Sequence, residues 1–153
     1  MKKSGPGILT FSGLAAWSGG MEIADGSLRP GSADTLATQL ITITSGGVLD
    51  LNGAPATVGG LTGAGAVQLG SGRLTIGALP GDTNYGGAIG GSGSVVITGG
   101  GKRFSPRTLS GHSTFTGGTV LESGRLIIGS TQALGTGRLT VRGGSVQTAP
   151  GIS

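Results

Sequence analysis

The chain has no cysteine, few aromatic side chains, few charges and no long hydrophobic run. Of its 153 residues, 10% are charged and 3% are aromatic. The absence of cysteine excludes a disulfide framework, a thiol nucleophile and a thiolate metal site. So few aromatics exclude a large core of Phe, Tyr and Trp, and no segment approaches the ~18 continuous apolar residues of a membrane helix. The stability of a folded form must therefore come from stacked, hydrogen-bonded strands.

Glycine is the residue that the chain has in excess. There are 36 glycines, more than three times the ordinary share of roughly 7%. Collagen would need glycine at every third position with abundant proline, and six prolines without that period exclude it. Disorder is the alternative that this composition leaves open. Because Leu, Ile and Val recur in alternating patterns throughout the sequence, we expect ordered β-structure instead.

Short alternating runs closed by glycine are the main secondary-structure signal. Examples are Ile41 with Ile43, residues 95–97 and residues 126–128. Each run ends at glycine accompanied by Ser, Asn or Asp, which is typical of strands joined by tight corners. Helical periodicity is almost absent, and glycine would cost a helix about 1 kcal/mol at each position. Such strands can form a sandwich, a barrel or a solenoid.

A long ungapped repeat favours the solenoid. The pattern that begins at Gly13 returns 98 positions later at Gly111, and the two copies run over 10–48 and 108–146. Each repeat unit buries its apolar face only against its neighbours. At roughly 20–25 residues per coil, the chain would form about six or seven coils with Leu, Ile and Val inside and Thr, Ser and Arg outside. The repeat-defining residues are Gly13, Trp17, Gly19, Gly20, Gly26 and Leu28 in the first copy and Gly111, Phe115, Gly117, Gly118, Gly124 and Leu126 in the second.

The second copy resembles the passenger-associated strand repeat of Gram-negative autotransporters. Residues 108–126 read TLSGHSTFTGGTVLESGRL, similar to that family's L-S-G-x-N-T-Y-T-G-G-T-x-V-x-x-G-T-L, and residues 133–137 resemble the A-L-G-x-G that often follows. The resemblance implies a right-handed, single-stranded parallel β-helix that is secreted or displayed at the cell surface. It also implies two partners in a parent chain, a β-barrel translocator and neighbouring passenger coils. We expect no cofactor, no nucleic-acid partner and no membrane insertion by this segment.

The predicted organisation is one repeat region with short flanking segments. We expect residues 1–7 to be disordered, residues 8–149 to form the β-helix and residues 150–153 to form a tail. An irregular loop is expected over 101–107, because Pro106 cannot donate to a strand ladder. The charged start of the chain resembles a signal peptide, but residues 4–7 stand where an apolar region should follow. We therefore expect an internal piece of a longer protein.

No catalytic, metal or cofactor site is predicted. Polysaccharide lyases and hydrolases need several carboxylates that converge in one groove, whereas the six acidic residues here are scattered. Glu22 and Asp25 are close in sequence, but Asp25 precedes Gly26 at a predicted corner, where Asp is a common turn residue. The single histidine, His112, has no nearby triad partners and is expected to be an exposed turn residue.

One basic cluster is the remaining candidate for binding. It consists of Lys102, Arg103 and Arg107, and Arg125, Arg138 and Arg142 would extend it as a surface strip. With only Phe104 nearby for stacking, a nucleic-acid site is unsupported. A solvated loop is the simpler interpretation, and weak contact with an anionic ligand such as acidic polysaccharide or lipopolysaccharide stays open.

The sequence therefore predicts a structural and adhesive β-helical segment with no catalytic activity of its own. It would present other regions of a passenger to a host-surface protein or glycan. The alternatives are a fragment of a polysaccharide-active β-helix enzyme and a non-functional remnant of a passenger.

Overall fold

The protein is a parallel β-solenoid. The computed structural model describes residues 1–13, 19–77, 79, 81–99 and 106–152, and these ranges contain fifteen strands of one sheet and no helix. Every strand pairing is parallel, and the strands stack in about seven turns. The prediction of an all-β solenoid is therefore confirmed. The strands are β1 (Lys2–Lys3), β2 (Ile8–Phe11), β3 (Met21–Pro30), β4 (Leu36–Asp50), β5 (Ala56–Gly63), β6 (Ala66–Gln68), β7 (Arg73–Ile76), β8 (Thr83–Tyr85), β9 (Ile89–Gly90), β10 (Ser94–Ile97), β11 (Pro106–Leu109), β12 (Thr119–Leu121), β13 (Arg125–Ile128), β14 (Leu139–Val141) and β15 (Ser145–Thr148).

The strands line three faces, and the long strands bend from one face to the next. Face 1 contains β1, the first part of β3, the middle of β4 and the end of β5, followed by β8, β11, β13 and β15. Face 2 contains β2, the later parts of β3 and β4, then β6 and β9. Face 3 contains the starts of β4 and β5, then β7, β10, β12 and β14. Register partners lie between 18 residues apart (Val48 with Ala66) and 24 residues apart (Val95 with Thr119).

Alternation along each strand fills the interior. On face 1, Ile23 and Ile43 are register partners and both are fully buried, whereas Glu22 and Thr42 beside them point outward. Side chains at successive β positions face opposite sides of the sheet, so the apolar half of every strand enters one continuous core. Tyr85 and Phe115 are among the large buried side chains.

The two sequence repeats occupy different faces. Ile23 lies on face 1 and its counterpart Leu121 lies on face 3, while Leu28 lies on face 2 and its counterpart Leu126 lies on face 1. All four side chains are buried. The separation of 98 residues is not a whole number of turns. The repeat therefore encodes two strands with inward-facing apolar side chains and the glycine corner between them, but it does not determine which face each strand occupies. Trp17 of the first copy lies outside the described residues.

The start of the chain differs from the expectation of disorder over residues 1–7. Lys2 and Lys3 form β1, which pairs with Glu22 and Ile23 of β3. The Lys3 side chain is buried, and its ammonium donates to the carbonyls of Gly5 at 2.6 Å and Asp25 at 3.1 Å. The ladder and these bonds order the segment, so the solenoid begins with the second residue.

The predicted loop over 101–107 is wrong at its last two positions. Residues 101–105 lie outside the described residues, but Pro106 and Arg107 begin β11 and pair with Arg125 and Leu126 of β13. Proline is tolerated at the first residue of a strand, where its missing N–H interrupts the ladder least.

Candidate functional site

Arg107 is a buried side chain and not part of a solvent-facing basic cluster. It is 1% exposed, and its guanidinium donates to the backbone carbonyls of Gly77, Leu79 and Gly81 in the preceding turn. Among the described residues, its Nε atom has no hydrogen-bond partner. Burial lowers the pKa of Arg107, and the charge of Asp82 opposes that shift. The alternation with buried Leu109 two positions later is the sequence signal that indicates this inward orientation.

Arg107 is therefore not available at the surface for the predicted anionic-ligand cluster. Lys102 and Arg103 lie outside the described residues, so their contact with an anionic ligand stays a prediction. The expected extension is also split between faces. Arg125 starts β13 on face 1 and donates to the side-chain oxygen of Gln147 at 2.7 Å, whereas Arg138 and Arg142 flank β14 on face 3.

The carboxylates that take part in ion pairs are distributed over the three faces. Glu22 pairs with Lys2 at 3.4 Å on face 1, and Asp50 pairs with Arg29 at 2.5 Å on face 2. On face 3, Glu122 pairs with Arg142 at 3.0 Å. Each pair links neighbouring turns. Within the described ranges, no group of three or more His, Cys, Asp or Glu side chains comes together as a metal site would require.

The two polar residues singled out at corners have local partners. Asp25 accepts a hydrogen bond from the amide of Gly26 at 2.9 Å, which is turn chemistry of the predicted kind. His112 is exposed, as predicted, and its Nδ1 contacts the side-chain oxygen of Gln132 on the next turn. In the part of the chain that the structure describes, no helix has the length and apolarity to cross a membrane.

The fold and these sites define a class: a β-solenoid repeat protein whose charged side chains mainly join one turn to the next. The model of the passenger-associated-transport-repeat family matches residues 1–29 and 108–128, which overlap the two sequence copies. The adhesin BmaC autotransporter of Brucella suis biovar 1 (strain 1330) is 36% identical over 145 residues, which cover 88% of this chain and 4% of that protein. The uncharacterized protein YuaQ of Escherichia coli (strain K12) is 37% identical over 102 residues, which cover 63% of this chain and 7% of that protein.

By these matches the chain is similar to the passenger repeat domains of autotransporters. This similarity implies that the chain is secreted or displayed on the surface of a Gram-negative bacterium, as the sequence resemblance does. The chain spans less than a tenth of the length of either relative. No solved structure matches it.

Proposed function

We propose that the chain is a structural and adhesive segment of a surface-displayed passenger. The observation that carries the proposal is the continuity of faces 1 and 3, whose strands pair from turn to turn along the described chain. With strands about 4.8 Å apart, seven turns would extend for roughly 30 Å. Such a rod keeps a contact surface away from the cell that displays it.

The outward positions favour contact with polar ligands. On face 1, Thr42 and Thr62 are register partners, and Asn84 and Thr108 are register partners further along the same face. These hydroxyl and amide groups give face 1 a polar column in its central turns. Multivalent ligands suit such a surface, because weak contacts made in several places add up to useful avidity.

The relative named as an adhesin supports an adhesive role without enzymatic activity. In a parent chain, the segment would be joined to neighbouring passenger coils and to a translocator domain. The enzyme alternative gains no support from the ion-paired carboxylates on three separate faces. The remnant alternative is weakened, because the ladder resumes at Pro106 within the segment that was expected to interrupt it.

The first test is whether the purified chain folds and melts as one unit. Far-UV circular dichroism should show a strand spectrum, and the thermal melt should be cooperative and identical at two protein concentrations. Order that appears only with aggregation would remove the basis for a self-supporting rod.

The second test is adhesion. Beads coated with the chain should be retained on epithelial cells under flow. The matched control is Ile97→Asn, which keeps the net charge but buries an unpaired amide in the core. Equal retention of both bead types, or retention of neither, would contradict the adhesive role.

A further inference from the structure

One column of outward positions on face 3 carries two arginines separated by two small residues. Arg73 and Ser94 are register partners in β7 and β10. The next turn places Gly118 in that column, since its carbonyl accepts from the amide of Val95, and Arg138 follows, since its carbonyl accepts from the amide of Thr119. The column therefore reads Arg73, Ser94, Gly118, Arg138 along the solenoid axis.

The two arginines are available to a ligand. Both are exposed, and within the described residues neither side chain has a hydrogen-bond or ion-pair partner in the structure. Three turns separate them, so their backbones lie roughly 14 Å apart. A guanidinium offers a planar fork of donors that matches a carboxylate or a sulfate.

Ser94 and Gly118 place little side-chain volume between the two arginines, and we call the space above these two residues the trough. Gly118 has a φ of +90°, and a Cβ there would lie 2.8 Å from the carbonyl oxygen of Arg138. A larger residue at this position would be strained. Ser94 adds only a hydroxyl to the floor of the trough.

A column of β-branched side chains forms the wall of the trough. Thr75, Val96, Val120 and Thr140 are register partners in four successive turns. Val96 is only 9% exposed, so the accessible groups of this wall are the hydroxyls and methyls of Thr75, Val120 and Thr140. This mixed polarity suits the carbon–hydrogen faces and hydroxyls of sugar rings.

The charge of this face is positive. Glu122 is the acid beside the trough, and it is already paired with Arg142 at 3.0 Å. Arg73 and Arg138 therefore have no acidic partner in the described residues, and an anionic ligand complements them.

We propose that this trough binds an extended acidic polysaccharide that runs along the solenoid axis. Its carboxylates or sulfates pair with Arg73 and Arg138, and its sugar rings cover Ser94 and Gly118. The proposal deepens the adhesive function above and rests on it for its biological setting. Nucleic acid fits less well, because the described strands of face 3 carry no aromatic side chain on which bases could stack. A peptide strand fits less well, because β10 and β12 already have a strand on each side.

The test is binding of the whole chain to immobilised heparin and hyaluronan, with neutral dextran as the reference surface. Arg73→Gln and Arg138→Gln should each raise the Kd about tenfold, the loss of one charge-assisted contact. The matched control is Arg125→Gln, which removes the same charge from face 1 and should change the Kd less than about twofold.

Ser94→Phe fills the trough without changing the charge and should weaken binding about as much as loss of either arginine. Thermal melts of all four variants check that the fold is retained.

Three outcomes would overturn the proposal. An equal loss with Arg125→Gln would show that net charge alone attracts the polymer. Unchanged binding by Ser94→Phe would place the polymer elsewhere, and tighter binding to single-stranded DNA than to either polysaccharide would assign a different partner.

The bead assay separates this inference from the proposed function. If Arg73→Gln and Arg138→Gln leave bead retention unchanged, the chain is adhesive but this site is not responsible. If heparin binding depends on the two arginines but the beads are not retained, the binding site is supported and the adhesive role is contradicted.

Discussion

Several corner positions accept only glycine, because the backbones of successive turns lie too close together for a side chain. A Cβ on Gly111 would lie 1.9 Å from the carbonyl oxygen of Gly87, and a Cβ on Gly87 would lie 1.7 Å from that of Gly65. Gly65, Gly87 and Gly111 therefore stack in three consecutive turns. This close approach accounts for part of the glycine excess that the sequence shows.

Gly111→Ala should lower the free energy of unfolding by about 1–3 kcal/mol, because a methyl group must displace backbone. The matched control is Gly86→Ala, whose Cβ would meet no atom closer than the Ser110 Oγ at 3.5 Å. That change should be neutral or slightly stabilising, since alanine restricts the unfolded chain. Urea denaturation of both variants measures the difference, and equal effects would contradict the close packing of this corner.

Tyr85 is an interior residue whose ionisation is altered by the fold. Its hydroxyl donates to the carbonyl of Gly65 at 2.5 Å, and its side chain is 1% exposed. Burial raises the pKa of Tyr85 well above its ordinary value of 10.0. The folded protein therefore keeps this proton at a pH where the unfolded chain releases it.

The stability of the protein should fall as the pH rises above about 10, because there the unfolded state gains stability by releasing the proton of Tyr85. Below that pH both states hold the proton, and the group contributes no pH dependence. Tyr85→Phe should cost about 1 kcal/mol at neutral pH for the lost hydrogen bond, and it should flatten the alkaline decline. Urea unfolding at a series of pH values measures both effects. A decline of the same slope in the variant would assign it to other groups.

At the scale of the strand, sequence reasoning succeeded where alternation was plain and failed where a polar residue faced inward. The strands around Ile41 and Leu126 follow the period of two, and the sequence predicts both, as it predicts the strand at the apolar run from Val95 to Ile97. Arg107 was assigned to a solvated loop, because charge usually marks a surface, yet the carbonyls of the preceding turn provide its partners. Those carbonyls come from residues near Gly77, about thirty positions away, and no local pattern reveals them.

The face that each strand occupies could not be read from the repeat. Counterparts such as Leu28 and Leu126 have the same inward orientation but lie on different faces. The assignment depends on the summed length of every intervening corner, and corners vary in length between turns. A local motif fixes orientation, whereas the position around the axis is a property of the whole stack.

Two neighbouring residues of β13 test the inward and outward sides of one strand. Leu126 is fully buried and Ile127 is half-buried on the outer surface. Leu126→Ala should cost about 2–5 kcal/mol through lost burial and a cavity, and Ile127→Ala should cost less than about 1 kcal/mol. Thermal or urea unfolding of the pair measures the contrast. Equal losses would mean that the outer surface of β13 is covered in solution.

At the scale of the whole molecule, almost every interaction joins one turn to the next. β1 pairs only with β3, and β15 pairs only with β13, whereas β5 and β10 each have strands on both sides. In such a stack, stability is approximately a sum of terms for each turn and for each interface between turns. A strand that pairs with one neighbour is therefore stabilised by fewer interfaces than a strand that pairs with two.

Native-state hydrogen exchange should accordingly show a gradient along the solenoid axis. Amides of β5, β7 and β10 should exchange at least about tenfold more slowly than those of β1 and β15, because end turns open without disturbing the centre. Ile97→Ala, which removes a fully buried side chain from a central turn, should speed exchange in β10 and in its partners β7 and β12 more than in β1. Ile127→Ala serves as the control, since its outer position should leave the gradient unchanged. The opposite result would be uniform exchange across all strands that Ile97→Ala accelerates equally everywhere. It would show that the turns unfold only together, and that the nearest-neighbour description is wrong for this protein.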